Sequence, residues 1–383
     1  MNTTSRFTIV LAALVATHTT AHADDPFLAP LDRQRWSLTE DTTLAASFRL
    51  QGDTARFSDA TIENEDGFRR ARAALRLDHK DWRIAFDYDV GVSDGWKNVR
   101  LEYRGFRRQR IVVGNQVAPL SMEDLTSSSN LAFLERSAAA TLAPGMLMGA
   151  SYRRWWDSSS VHVGFFGDEL TGQDRRRLPG NSFVGRGTWA PWDENGKTLH
   201  LGVGVEVREV DDNARVRLRA RPGTRLTSTR LVDTRNIDGV SGSQLTHVEA
   251  AFALPRLRIQ GEANWLQLDT AAGNVDLSGH YVTVSVPIGA EDYRYRSSRG
   301  TFDRLRPDTK YGALELSARY GMVDLNDGTI AGGRQTEIAL GLTWVVNRNL
   351  LLTLNQTQVE ASLNRDGVAQ DVDVTLMRID FRL

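Results

Sequence analysis

Apolar and polar residues alternate with a period of two through most of the chain. In Arg83 to Val90, one row is Ile84, Phe86, Tyr88 and Val90, and the other is Arg83, Ala85, Asp87 and Asp89. From Leu199, the row Leu199, Leu201, Val203, Val205 and Val207 opposes His200, Gly202, Gly204, Glu206 and Arg208. Ile338, Leu340, Leu342, Trp344 and Val346 form another apolar row. Successive side chains of a strand point to opposite faces, so each segment predicts a strand with one apolar and one polar or small face. Candidates recur near 42–52, 67–78, 82–91, 96–105, 109–115, 147–157, 160–168, 182–191, 197–208 and 213–222. They continue near 244–254, 256–268, 278–288, 311–323, 334–346, 350–360 and 371–383. These amount to roughly sixteen strands, many about ten residues long, the length of a tilted transmembrane strand.

The connections alternate in length. His79-Lys80-Asp81 and Asn347-Arg348-Asn349 are tight turns, whereas 223–243, 290–310 and 361–370 are longer polar segments. Short turns at one end and long loops at the other is the layout of an outer-membrane barrel. A soluble sandwich or propeller also alternates. A sandwich of this length would divide into domains and a propeller would repeat by blade; neither pattern is present. The last candidate strand ends with the chain, Met377, Ile379, Phe381 and Leu383 alternating with Arg378, Asp380 and Arg382. Residues 121–142 (SMEDLTSSSNLAFLERSAAATL) lack the period and predict a loop with one or two helical turns. The predicted fold class is all-β, a transmembrane antiparallel β-barrel of about sixteen strands, with 121–142 folded inward as the pore-constricting loop.

Composition narrows the class. Arg6, the short apolar run Phe7 to Ala16 and the small-residue site Ala21-His22-Ala23 predict a secretory signal peptide over 1–23, cleaved to leave one barrel domain over 24–383. The destination is then the outer membrane of a Gram-negative bacterium. No later apolar run reaches eighteen residues, which excludes a helical membrane protein but not a barrel. The chain has no cysteine, so no disulfide framework holds it. A net charge of −1 argues against a nucleic-acid-binding domain. Lys80, Lys97, Lys197 and Lys310 are the only lysines; the other basic residues are arginines, which stay charged and offer forked donors to oxyanions.

The arginines fall in rows. In Arg215-Val216-Arg217-Leu218-Arg219-Ala220-Arg221, strand alternation puts four arginines on one face, about 7 Å apart, and Val216, Leu218 and Ala220 on the other. With the apolar face on lipid, the arginines line the lumen as an anion ladder. Arg70, Arg72 and Arg76 share a face opposite Ala71, Ala73, Leu75 and Leu77, and Arg100 and Arg104 lie opposite Val99, Leu101 and Tyr103. Asp87, Asp89 and Glu102 occupy polar-face positions as acidic partners. The histidines after the signal, His79, His162, His200, His247 and His280, lie in no G-x-S-x-G or H-E-x-x-H context, so no enzyme, cofactor or metal site is predicted.

The sequence resembles the phosphate-selective porin O/P family. The likeness runs through GFRRAR (67–72), WRIAFDYDVG (82–91), LEY (101–103), GNQVAPLSMEDLTSSSNLAFLERS (114–137), LAPG (142–145) and VGFFGD (163–168). It implies a trimeric sixteen-stranded barrel with an inward loop and an arginine-lined pore for phosphate or other small anions. By resemblance, Arg69, Arg70 and Arg136 supply the guanidinium groups of the central anion site. Ser127 and Ser128 supply its hydroxyls, and Arg215, Arg217, Arg219 and Arg221 the ladder. Asn115, Val117 and Leu120 depart from the usual GQxKxPF pattern, and Asn98 stands where an acidic residue is common. The expected function is a passive anion-selective channel; the alternatives are a soluble secreted or periplasmic β-rich anion-binding protein and a barrel enzyme.

Overall fold

The computed structural model describes residues 34–383 apart from 93, 172–175, 212–213, 291, 329 and 363–367. The predicted signal segment lies outside the described residues. Sixteen antiparallel strands close one barrel. They are β1 Thr42–Phe57, β2 Glu65–His79, β3 Trp82–Asp89, β4 Gly95–Tyr103, β5 Gln109–Val117, β6 Met146–Trp155, β7 Ser159–Phe166 and β8 Gly180–Glu194. The others are β9 Lys197–Val210, β10 Val240–Leu254, β11 Leu257–Thr270, β12 Gly273–Ile288, β13 Ala313–Asp327, β14 Ile330–Val345, β15 Leu350–Ser362 and β16 Gln370–Arg382. Each strand pairs with the next, and β16 returns to β1 from Arg49↔Arg382 to Phe57↔Val374, so the last strand closes the sheet without an edge. A short strand Gln34–Thr39 folds back on the start of β1 and continues that seam.

The alternation is borne out on the outer surface. Phe86, Tyr88, Leu201, Val203, Val207, Ile338, Leu340, Leu342, Trp344, Met377 and Ile379 are all exposed there. Between them, His200, Glu206, Arg208, Glu337, Arg378 and Asp380 point inward and are buried. This outer apolar surface suits lipid. Leu340 is 62% exposed near the middle of β14, so Leu340→Arg is expected to destabilise the folded barrel by about 2–4 kcal/mol if the residue sits near the bilayer midplane. Denaturant unfolding in lipid vesicles measures that loss.

The tight turns at 79–81 and 347–349 lie at the same end of the barrel, as the alternation predicts. Two expectations are corrected. Residues 213–222 are not a barrel strand. They belong to the 211–239 connection between β9 and β10, where Arg217–Ala220 is a short strand in a separate three-stranded sheet. Residues 290–310, predicted as one of the long-end loops, connect β12 to β13 at the tight-turn end.

Three segments fold into the barrel: 118–145, 211–239 and 289–312. The first two pack on an apolar inner wall near the loop end. Leu120, Leu142, Val216, Leu218, Leu231 and Ile237 cluster there with Leu245, Leu266, Leu268, Val323, Val359 and Val374. The lumen wall is therefore apolar where it receives loops and polar below. Small residues permit the approach. A Cβ on Gly204 would lie 2.9 Å from Leu120 Cδ1, and one on Gly279 would lie 3.0 Å from Ala139 Cα. The predicted inward loop at 121–142 is thus present, within the longer 118–145 connection.

Candidate functional site

Alternation alone would aim Arg69 and Arg70 to opposite faces. The ladder between β1 and β2 shifts here: Gln51 faces Arg70 and Gly52 faces Phe68, leaving Arg69 as the extra residue of a β-bulge. A bulge re-aims one side chain, so both guanidiniums enter the barrel while Phe68 stays outside. Below them Arg72 follows in phase. Asp89 pairs with Arg72 at 3.3 Å and approaches Arg70 at 3.8 Å, and it accepts from the Ala71 and Gly91 amides, both at 3.0 Å.

The other half of the site comes from the inward loop. Ser121 caps a short helix, Met122–Leu125, by accepting from the Asp124 amide at 3.1 Å. Arg136 holds the far end of that turn. Its guanidinium meets Asp124 at 2.9 Å and donates to the carbonyls of Glu123, Asp124 and Thr126 at 3.1 Å each. The serines follow directly. Ser128 Oγ accepts from Arg49 Nη1 at 2.9 Å and from Arg70 Nη1, and Ser127 Oγ meets Ser129 Oγ at 3.0 Å. Arg70 and Ser128, predicted from distant parts of the chain, therefore touch.

Of two cavities in this region, the larger takes in this contact. Of about 290 Å³, it is lined by Arg49, Arg70, Arg72, Lys97, Ser127 and Ser128 among others. The second, of about 120 Å³, is lined by Arg69, Arg219, Arg221, Arg230 and Glu135 among others. Arg136 and Arg225 line both. The predicted site is thus divided: Arg70, Ser127 and Ser128 line the larger cavity, Arg69 the smaller, and Arg136 joins them. Arg69 is 2% exposed and pairs with Glu135, which Arg378 also contacts at 3.2 Å. Burial would raise the Glu135 carboxyl, but Arg69, Arg378 and Arg225 outweigh it and hold it well below the usual carboxylate range.

The ladder keeps its alternation in an unexpected place. Val216, Leu218 and Ala220 are buried inside the barrel, not against lipid, so the premise that set their orientation is corrected. Arg219 and Arg221 line the smaller cavity, Arg217 donates to Asp233 at 2.8 Å, and Arg215 is exposed outside the cavity lining. Burial and neighbouring guanidiniums lower Arg221 and Arg230 to about 10 each, which leaves both charged at neutral pH. Of the other predicted lumen arginines, Arg72 meets Asp87 at 3.4 Å, Arg100 meets Glu102 at 2.9 Å, and Arg104 meets Asp78 at 3.0 Å. Arg76 is exposed on the same face of β2.

Arg49, Lys97, Arg225 and Arg230 line the cavities but were not selected from the sequence. The phase of β1 could have found Arg49, two residues before Gln51. Arg225 and Arg230 lie beyond Arg221, where the connection loses its periodicity and carries no such signal. Guanidinium and hydroxyl donors converging from wall and loop can replace the hydration shell of an oxyanion.

Known proteins share both sequence and architecture. Porin O of Pseudomonas aeruginosa is 28% identical over 348 residues, covering 78% of this chain and 78% of the relative. OmpT of Vibrio cholerae, an outer membrane protein described in trimer form, superposes with a TM-score of 0.59 at 12% identity, over 90% of this chain and all of that one (100%). An anion-selective porin from Comamonas acidovorans gives 0.59 at 11% identity, over 89% and 100%. These two likenesses are of fold. The sequence matches the family described as phosphate-selective porin O and P over residues 44–383, and the chain belongs to that family of outer-membrane porins.

Proposed function

We propose that this porin is a passive anion-selective channel for phosphate or a related oxyanion, exported by its 1–23 signal and assembled as a homotrimer in the outer membrane. The observation that carries the reading is the convergence of Arg49 and Arg70 on Ser128 Oγ, inside a lumen cavity also lined by Arg72, Lys97, Arg136 and Arg225. The acids lining the same cavity are Asp124 and Glu169, so its cations outnumber its anions. Excess fixed positive charge raises the local anion concentration, and neutral hydroxyls beside it let an oxyanion shed water without binding too tightly to leave.

In this reading an anion first meets the guanidiniums of the 211–239 connection, Arg219, Arg221 and Arg230. It passes Arg136 and Arg225 and reaches Arg70, Ser127 and Ser128. Arg72, Arg76, Arg100 and Arg104 extend the charged wall beyond. The family description favours phosphate, the Comamonas porin favours anions in general, and the Vibrio protein favours a trimer. The outer apolar rows favour a membrane location over the soluble alternative.

Competition in planar bilayers tests the assignment. Chloride current through the purified porin is expected to fall several-fold as inorganic phosphate is added at constant ionic strength. A chloride current indifferent to phosphate would contradict an oxyanion site.

A further inference from the structure

A second bulge brings a residue outside the predicted site into the larger cavity. Between β3 and β4, Phe86 faces Val99 and Tyr88 faces Trp96, so Asp87 alone opposes both Lys97 and Asn98. The extra residue sends both of these side chains inward, as the bulge at Arg69 does in β2. The distorted backbone is stitched in place. Asp87 accepts from the Asn98 amide and, at 2.8 Å, from Asn98 Nδ2, while the buried Asn115 side chain donates to the Lys97 carbonyl. Trp96, on the preceding position, stays 44% exposed on the outer surface.

Lys97 is only 7% exposed and lines the cavity that holds Arg70 and Ser128. Its ammonium has no hydrogen bond or ion pair among the described residues. Its neighbours are otherwise matched: Arg72 has Asp87 and Asp89, Arg49 has Asp380 at 2.5 Å, and Arg136 has Asp124. Glu169 and Asp89 act on it electrostatically without bonding it, and a buried ammonium whose donors have no protein acceptor is costly unless water or a mobile anion serves it. Its charge and rotatable donors are what such an anion would meet.

We infer that Lys97 is a specificity-determining residue of the pore, its ammonium contacting the permeating oxyanion opposite the Arg70–Ser128 pair. This rests on the anion-channel function proposed above and adds a residue to it. The anion recognised is a tetrahedral oxyanion, which reaches the ammonium through one oxygen while others meet the guanidinium and the hydroxyl.

The absence of native cysteine makes the test specific. Lys97→Cys gives a channel with one thiol, and 2-aminoethyl methanethiosulfonate rebuilds an ammonium there after folding. The readout is the inorganic phosphate concentration that halves the chloride current in planar bilayers. Lys97→Cys is expected to raise it about tenfold, the loss of one charge-assisted contact. Aminoethylation should bring it back, the neutral methyl reagent should not, and Lys97→Arg should stay near wild type. Lys310→Gln, at the tight-turn end, should leave it unchanged. The inference is overturned if Lys97→Cys matches wild type, or if the methyl reagent restores block as well as the ammonium does. If the thiol variant inserts no channel, Lys97→Met against Lys97→Arg gives the same contrast. Absence of phosphate block in wild type would remove the oxyanion-site reading itself, a result distinct from failure at Lys97 alone.

Discussion

Glu249→Ala is expected to destabilise the porin by about 3–5 kcal/mol and to widen its pore, because one buried carboxylate holds two of the inserted segments. Glu249 Oε1 accepts from Arg186 Nε at 3.0 Å and meets His200 Nε2 at 2.8 Å. Its other oxygen accepts from the Met122 amide at 2.9 Å and meets His247 Nε2 at 2.9 Å. Met122 belongs to the loop from the far end. From the tight-turn end, Arg186 donates to the carbonyls of Arg299 and Gly300 at 2.8 Å each, and Tyr295 bonds His200 at 2.7 Å. Truncation therefore leaves a buried guanidinium and two imidazoles without their shared partner and frees both segments. Glu262 reinforces the loop by accepting from the Glu123 amide at 2.6 Å and Ser121 Oγ at 2.5 Å. His247, Glu249 and Glu262 lie close enough to hold a metal ion, but each carboxylate oxygen is already committed to the wall or the loop. Unfolding in vesicles would show the lost stability, and single-channel conductance with neutral-solute exclusion would show the wider pore. Glu249→Gln, which keeps the shape but not the charge, should fall between.

Arg70→Gln should raise the phosphate concentration needed for half-block by about 10- to 100-fold, since a hydrogen bond to a charged group contributes about 1.5–3 kcal/mol. Arg70 meets Ser128 and stands 3.8 Å from Asp89, a looser pairing than those of its neighbours. Arg70→Lys keeps a charge without the forked donors and should recover part of the loss. Arg69→Gln should behave differently. Arg69 is committed to Glu135, so its removal unpairs the loop and should alter conductance and stability more than phosphate block. Titrations of chloride current with phosphate on the three variants separate these roles. Equal effects at Arg69 and Arg70 would contradict the division of the site.

Most of the barrel was legible because lipid on one side and a wet lumen on the other impose a strict period of two. Ile338 to Trp344 and Met377 to Ile379 follow that rule; Val346, the last residue of the first predicted row, lies past the end of its strand and is buried. The rule failed where the inside is apolar. Val216, Leu218 and Ala220 alternate with arginines as a lipid-facing strand would, yet they pack on Leu245, Val323 and Val374 within the barrel. Sequence period cannot distinguish lipid from a loop packed on the inner wall. The bulges at Arg69 and at Lys97–Asn98 were illegible for a different reason. Each depends on two strands slipping by one residue, and only the partner strand reveals it. The likeness to a family supplied Arg69 regardless; nothing in the alternation supplied Lys97. The 290–310 segment was assigned to the wrong end because length was the only guide, and a long segment that folds into the barrel from the tight-turn end reads like a long-end loop.

The central claim is that fixed positive charge in the lumen makes the channel select anions. The direct measurement is the reversal potential of the purified porin in a planar bilayer under a potassium chloride gradient. The account predicts a potential close to the chloride equilibrium value, reduced in size by Arg70→Gln. A potential near zero, or one near the potassium equilibrium value, would contradict it.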